Sequence, residues 1–170
     1  MKNVSVRKIV FAALFAALCC VGTMVIKIPT PLGGYIHVGD AIVLLAAFLL
    51  GGGWGALAAG IGSALADIVS GYVMYAPGTM LIKAAVALVA GLLLKAQFIK
   101  QPMVRAIIAG VIGEIIMVLG YLFYEAVIMG FGAAAVANIP MNLIQGAFGA
   151  AAGAVLYVAI NKTKYFTQGE

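Results

Sequence analysis

Long apolar segments, interrupted only by short breaks rich in Gly, Pro or Lys, fill this chain from about residue 7 to residue 161. Charged residues make up 9% of the sequence, whereas soluble domains carry about 25%. A helix needs about 20 apolar residues to cross the hydrocarbon core of a bilayer, so six crossings use about 120 residues. The chain therefore predicts an all-α integral membrane protein with room only for connecting loops.

The breaks divide the chain into six predicted transmembrane helices within a single domain, residues 1–170. We place these helices at about residues 7–26, 39–51, 54–70, 78–95, 103–128 and 138–161. The second helix is short because it runs into three consecutive glycines, Gly51 to Gly53. The connection over residues 130–137, rich in Gly and Ala, is expected to be a loop.

The longest predicted loop covers residues 27–39, where two prolines and two adjacent glycines prevent a continuing helix. Tyr35 and His37 alternate with Ile36 and Val38 in this loop. The alternation favours a short extended piece that folds over a binding site. Long loops often act as lids or binding loops.

Basic residues are distributed unevenly between the two sides of the predicted bundle. The termini and the connections after the second and fourth helices hold eight Lys and Arg side chains, whereas the opposite side holds only Lys27, with Lys83 embedded beneath it. By the positive-inside rule, both termini are expected to be cytoplasmic. We therefore predict a multi-pass protein of the cell membrane, with the loop over residues 27–39 facing outward.

Polar side chains gather in the predicted outer half of the bundle. An ionisable group inside a bilayer costs on the order of 3 kcal/mol and is rare without a role. Several of these residues share a helix face, as Asn138, Asn142 and Gln145 do by their spacing. We predict a pocket for a small molecule formed by His37, Asp67, Tyr75, Lys83, Tyr121, Glu125, Asn138, Asn142 and Gln145.

Several of these residues have an alternative structural interpretation. Lys83 is the strongest single signal, but an ion pair with Asp67 or Asp40 would also explain it. Asp40 is expected to cap the N-terminus of the second helix, and His37 is expected at the surface of its loop. Glu114, near mid-depth, is explained either by a hydrogen bond across helices or by a proton relay.

The chain lacks the sequence motifs of several other classes of protein. The chain contains no phosphate-binding G-x-x-x-x-G-K-[ST] motif and no Ser-His-acid arrangement, so we expect neither ATP hydrolysis nor another enzymatic activity. A single His argues against a metal site, and we expect no cofactor. The basic residues flank apolar segments and do not alternate with aromatics, which argues against nucleic-acid binding.

The sequence resembles the substrate-binding S components of energy-coupling factor (ECF) vitamin transporters. The similarity lies in the stretches IHVGDAIVLLAAFLLG, GALAAGIGSALADIVSGY and YAPGTMLIKA, in the N-x-x-Q motif at Asn142 and Gln145, and in the alanine pairs of the first helix. The most similar branch contains the riboflavin, hydroxymethylpyrimidine and vitamin B6 S components. The resemblance covers nearly the whole chain.

The resemblance implies a six-helix subunit that binds a vitamin from outside and associates with a membrane coupling subunit and two cytoplasmic ATPases. In such proteins, an A-x-x-x-A surface of the first helix docks on the coupling subunit. The matching residues here are Ala12, Ala13, Ala16 and Ala17, and packing inside the bundle is the alternative role of this surface. The compact polar set favours a vitamin B6 or hydroxymethylpyrimidine type of ring over riboflavin.

Two functions of other classes stay open at this point. A proton-coupled carrier would use Glu114 as its relay, and a membrane scaffold would use the polar helix faces only to bind another subunit.

Overall fold

The structure, a computed structural model, describes residues 6–96 and 99–163 of the chain. Its α-helices are α1 (Val6–Val25), α2 (Asp40–Val69), α3 (Ala76–Lys95), α4 (Pro102–Phe123) and α5 (Ile139–Asn161). Two short strands, β1 (Lys27–Pro29) and β2 (Tyr35–His37), join α1 to α2. A π-helical turn (Tyr124–Ile128) extends α4, and a 3₁₀-helix (Gly132–Asn138) precedes α5.

Five helical segments are long and apolar enough to cross a membrane: Val6–Val25, Asp40–Val69, Ala76–Lys95, Pro102–Ile128 and Gly132–Asn161. A helical membrane protein is therefore confirmed, although the hairpin of β1 and β2 makes the fold not purely α-helical. The expected loop over residues 130–137 is largely a 3₁₀-helix.

The second and third predicted helices form one folded element, α2. Gly51 interrupts it with φ 79° and ψ 165°, a combination that is essentially restricted to glycine. A Cβ atom built on Gly55 would lie 2.7 Å from the Cα atom of Ala47, whereas residues eight apart in a straight helix are separated by about 12 Å. The chain therefore turns back on itself at Gly51, within the glycine run that predicted the break.

The first arm of α2 is short, because the residues between Asp40 and Gly51 span only about 16 Å of helix. The hydrocarbon core is about 30 Å thick. Six separate crossings therefore remain a prediction, as does the orientation of the termini.

Close contacts of small residues hold α2 against its neighbours. A Cβ atom on Gly62 would collide with the carbonyl oxygen of Ala16 in α1, and one on Gly60 would come within 2.7 Å of the carbonyl oxygen of Met80 in α3. In a membrane, where lipid is as apolar as the helix surface, such small residues let backbones approach and gain packing contacts. The central position of α2 follows from these contacts.

The strands β1 and β2 form the extended piece that the sequence predicts. They pair antiparallel, with Ile28 opposite Ile36, and the Thr30 N–H donates to the Gly34 carbonyl at 2.9 Å to close the turn. The hairpin lies at the end of the bundle where α1 finishes and α2 begins. We call this end the site end, because the cavity described below lies there.

Candidate functional site

A small cavity lies at the site end, beneath the hairpin and between α2, α3, α4 and α5. Its walls are formed by Thr30, Gly34, Tyr35, His37, Asp67, Tyr75, Thr79, Tyr121, Glu125, Asn142 and Gln145. Its volume is about 30 Å³, enough for about two water molecules. A ring-shaped guest therefore requires the hairpin or the tyrosines to move outward.

Seven of the nine predicted site residues line this cavity: His37, Asp67, Tyr75, Tyr121, Glu125, Asn142 and Gln145. The other two, Lys83 and Asn138, lie directly behind the wall. Lys83 contacts Asp40, whose carboxylate accepts a hydrogen bond from Gln145, and Asn138 donates to Glu125. The structure thus brings all nine predicted side chains together at one end.

Lys83 forms an ion pair with Asp40 in the interior of the bundle. The Nζ atom of Lys83 lies 2.5 Å from Oδ1 of Asp40, and the side chains are 0% and 1% exposed. The expected capping role of Asp40 is wrong, since no side-chain hydrogen bond caps the N-terminus of α2. The Asp40 carboxylate faces the interior, where it compensates a buried charge from α3.

Gln145 connects this ion pair to the hairpin. Its Nε2 donates to Oδ2 of Asp40 at 2.7 Å, and its Oε1 accepts the backbone N–H of His37 at 2.8 Å. Both ends of the amide are therefore engaged. Gln145 ties β2 to α5 and α2 and thereby holds the hairpin over the cavity.

His37 is buried, with 8% of its surface exposed, so the expected surface position is wrong. Its Nδ1 accepts the backbone N–H of Gly39 at 3.1 Å, which leaves Nε2 to carry the proton. The pKa of His37 is lowered from 6.5 to about 4, mainly by burial; Asp40 opposes this shift and the Lys83 charge adds to it. The ring is therefore neutral at physiological pH.

Two carboxylates form the acidic part of the wall, and neutral donors hold each of them. Oδ1 of Asp67 accepts from the Tyr35 hydroxyl at 2.6 Å. Oε1 of Glu125 accepts from Asn138 Nδ2 at 2.8 Å and from the Tyr75 hydroxyl at 3.3 Å. Burial, followed by the neighbouring carboxylate, raises the pKa of both tyrosines, so each remains a protonated donor.

Sequence reasoning missed four wall residues: Thr30, Gly34, Tyr35 and Thr79. Tyr35 belongs to the predicted extended piece, and its alternation with His37 is the signal that places both on one face. Thr79 precedes Lys83 by one helical turn and so shares its face. Nothing local in the sequence marks Thr30 or Gly34, because the register of the hairpin brings them to the cavity.

Glu114 lies deeper in the bundle, away from the cavity wall. It is 4% exposed, and its carboxyl group faces Asp40 beside Gly149 of α5. Among the residues that the structure describes, neither Glu114 oxygen has a partner at hydrogen-bond geometry. The expected hydrogen bond across helices is therefore not formed at ordinary geometry.

A bundle of membrane-length helices around a small polar cavity defines a helical membrane protein with a candidate binding site at one end. Comparison with known proteins identifies the family. Residues 3–162 match the family model described as ECF-type riboflavin transporter, S component. The chain therefore belongs to the ECF transporter S component family, as the sequence resemblance indicated.

Two further similarities are consistent with this membership. The chain is 36% identical over 143 residues to an "Uncharacterized protein in gap 3'region" of Pyrococcus woesei, covering 84% of this chain and 93% of that protein. A solved structure described as "Structure and mechanism of the S component of a bacterial ECF transporter" superimposes with a TM-score of 0.70 at 22% identity. It covers 94% of this chain and 98% of that one. At this identity, the superposition shows a shared fold.

Proposed function

We propose that this chain captures a small aromatic vitamin or precursor, of the vitamin B6 or hydroxymethylpyrimidine type, from outside the cell. ECF S components work with a membrane coupling subunit and ATPases and bind a small vitamin. The chain would deliver its ligand to such a coupling subunit for uptake driven by two ATPases. The observation that carries the proposal is the polar cavity at the site end.

The composition of the cavity wall supports a flat, polar guest. Aromatic side chains enter the wall from three elements, with Tyr35 from the hairpin, Tyr75 from the start of α3 and Tyr121 from α4. Asn142 contributes an amide to the wall. Aromatic walls with a few placed polar groups are typical of sites that bind ring compounds.

The proposed roles of the site residues follow from their hydrogen bonds. Asp67, Tyr75, Tyr121, Glu125 and Asn142 contact the ligand. His37 and Gln145 also face it, while Gln145 holds the hairpin in place. Lys83 and Asn138 act as positioning residues, since each reaches the cavity through another side chain.

Riboflavin is the second candidate ligand, because the matching family model is described by that vitamin. The cavity has a volume of only about 30 Å³, and we favour the smaller rings because they displace fewer side chains than a three-ring compound does.

A groove on the membrane-facing side supports docking of the coupling subunit. Ala12, Ala13, Ala16 and Ala17 line it together with α2 residues that include Trp54, Leu57 and Ile61, and its volume is about 610 Å³. The groove is almost entirely apolar, and small residues at such a surface let a partner helix approach closely. We propose that this groove receives the coupling subunit.

The deciding experiment is isothermal titration calorimetry of the purified full-length chain, without ATPases, against pyridoxine, hydroxymethylpyrimidine and riboflavin. Tight binding of one ring supports the proposal. Transport of a solute by this chain alone in proteoliposomes, driven by a pH gradient and abolished by Glu114→Gln, would instead establish a proton-coupled carrier. Absence of binding to every vitamin tested would contradict the proposed function.

A further inference from the structure

Three oxygen atoms of cavity-wall residues lack a hydrogen-bond partner among the described residues: the Thr30 hydroxyl, which can donate as well as accept, and two carboxylate oxygens, Oδ2 of Asp67 and Oε2 of Glu125. The two carboxylate side chains, Asp67 and Glu125, are almost completely buried, with 4% and 3% of their surfaces exposed. Both belong to the wall of the cavity. Buried polar atoms are normally paired, so two unpaired acceptors at one cavity indicate that its guest supplies donors.

Each of the two carboxylates has a second oxygen, Oδ1 of Asp67 and Oε1 of Glu125, that accepts hydrogen bonds from uncharged donors. The hydroxyl groups of Tyr35 and Tyr75 and the amide of Asn138 orient the carboxylates but do not compensate their charge. The Thr79 hydroxyl also lies near Asp67 and shares a hydrogen bond of 3.0 Å with the Tyr121 hydroxyl, and it too is uncharged.

The nearby lysines do not line the cavity. Lys83 is paired with Asp40 and lies behind the Tyr121 ring, 5.4 Å from its centre. Lys27 donates to the Ser70 hydroxyl on the exposed rim and lies 5.7 Å from the centre of the Tyr35 ring. His37 is the remaining basic group in the wall, and it is neutral for the reason given above. The described wall of the cavity is therefore acidic and contains no compensating cation.

This arrangement selects the chemistry of the ligand. Burying a carboxylate without a partner is costly, and hydrogen bonds to a charged group are about twice as strong as neutral ones. Resting on the proposed vitamin-binding function, we propose that the substrate is a nitrogen compound that presents N–H donors, as an ammonium or an amino-substituted ring, to Asp67 and Glu125. Phosphorylated or carboxylated forms of the same ring are rejected, since they would place negative charge between two carboxylates.

A ligand series that differs in one substituent tests this proposal on the unaltered protein. Pyridoxamine, pyridoxine and pyridoxic acid share a ring and carry an aminomethyl, a hydroxymethyl and a carboxylate group at the same position. We expect calorimetry at neutral pH to show pyridoxamine binding at least tenfold tighter than pyridoxine, a difference of about 1.4 kcal/mol, and no measurable binding of pyridoxic acid. Hydroxymethylpyrimidine and its analogue with oxygen in place of the amino group form a second pair, with the same expected order.

Two isosteric variants assign the selectivity to the carboxylates. Asp67→Asn and Glu125→Gln remove charge with little change in shape, and each should lower the ratio of amine to alcohol affinity at least fivefold. Glu114→Gln is the matched control, because it removes a buried carboxyl group that does not line the cavity. In this control, the ratio of amine to alcohol affinity should equal that of the parent protein.

Each result has a defined consequence. Binding of pyridoxic acid as tight as that of pyridoxamine overturns the inference, as does an amine preference that persists in both variants. If riboflavin or pyridoxine binds tightly and the amino compounds do not, the proposed vitamin-binding function stands and this inference falls. If no vitamin binds at all, the proposed function is contradicted, and so is the inference that rests on it.

Discussion

Lys83 and Asp40 are fully buried and lie 2.5 Å apart at their closest atoms. The cost of desolvating both charges is offset only while each has the other and Asp40 also has the amide of Gln145. The pair therefore contributes little to stability relative to an apolar pair, but loss of one partner leaves the other without compensation.

We predict that Lys83→Met lowers the free energy of unfolding by about 3 kcal/mol or more, because Asp40 becomes a buried unpaired carboxylate. The double variant Lys83→Met with Asp40→Asn should recover most of this loss. Denaturant unfolding in detergent, followed by circular dichroism, measures both. Lys95→Met, at the exposed end of α3, is the control and should change stability by less than about 0.5 kcal/mol. If the double variant lost as much stability as the sum of the two single variants, the prediction would be contradicted.

His37 gives the fold a dependence on pH. Its pKa falls from 6.5 to about 4 on folding, so between these values the unfolded chain binds more protons than the folded one. Stability contributed by neutral His37 is complete above about pH 6.5 and is lost as the pH falls toward 4, on the order of 3 kcal/mol in total.

We expect His37→Asn, which keeps an acceptor for the Gly39 N–H, to flatten the stability profile over this range. Denaturant unfolding at several pH values gives the free energy of unfolding of the parent protein and of the variant. Both proteins contain the same carboxylates, so the difference between the two free energies reports His37 alone. Parallel profiles would show that His37 does not titrate as described.

At the scale of elements, the turn within α2 determines the geometry of the site. The reversal at Gly51 sends the second arm back so that Asp67 reaches the same end as Asp40. The π-helical turn Tyr124–Ile128 has a comparable effect on α4, since it carries Glu125 in the cavity wall. Such π-helical turns are frequent at functional sites.

We predict that Gly51→Ala destabilises the protein by about 1 to 3 kcal/mol, because alanine does not readily adopt φ 79° and ψ 165°. Gly53→Ala is the matched control. Gly53 is exposed and helical, and a Cβ atom there meets no atom within 4 Å. This control should be neutral or stabilising by up to about 1 kcal/mol. Equal effects of the two substitutions in thermal unfolding would contradict the strained turn.

At the scale of the whole molecule, the cavity and the alanine groove are separate features. The cavity is formed by side chains of the hairpin and of α2 to α5, whereas the groove lies between α1 and the second arm of α2. Of the four alanines, Ala13 and Ala17 are exposed, while Ala12 and Ala16 are half-buried. The surface thus packs inside the bundle with one edge and faces the membrane with the other.

We predict that Ala17→Leu leaves vitamin binding by the isolated subunit unchanged and reduces uptake by the assembled transporter at least tenfold, because the groove is filled. Calorimetry and uptake of labelled vitamin in cells measure the two effects. Ala151→Leu, an equally exposed substitution on α5, should support normal uptake. Loss of vitamin binding in Ala17→Leu would show that the groove is part of the internal packing instead.

Much of this organisation could be read from local sequence. The glycine run predicted the break in α2, the alternation of Tyr35 and His37 predicted an extended piece, and the positions of the polar residues along their helices predicted a site at one end. Asp40 and His37 were placed wrongly, because the direction in which each side chain points depends on neighbours far away in sequence. The unsatisfied oxygens of Asp67 and Glu125 were not foreseeable, since they depend on which donors the tyrosines provide.

The sequence by itself determined that the chain is a membrane protein, that the glycine run breaks α2, and where along the helices the charged residues lie. These properties are local, since hydropathy and helical periodicity depend on residues within a few turns of one another. Only the tertiary structure decided that Lys83 pairs with Asp40 rather than Asp67 and that both ends of Gln145 are occupied. Such choices depend on how closely glycine and alanine surfaces bring the helices together, and a shift of about one ångström exchanges one hydrogen-bond partner for another.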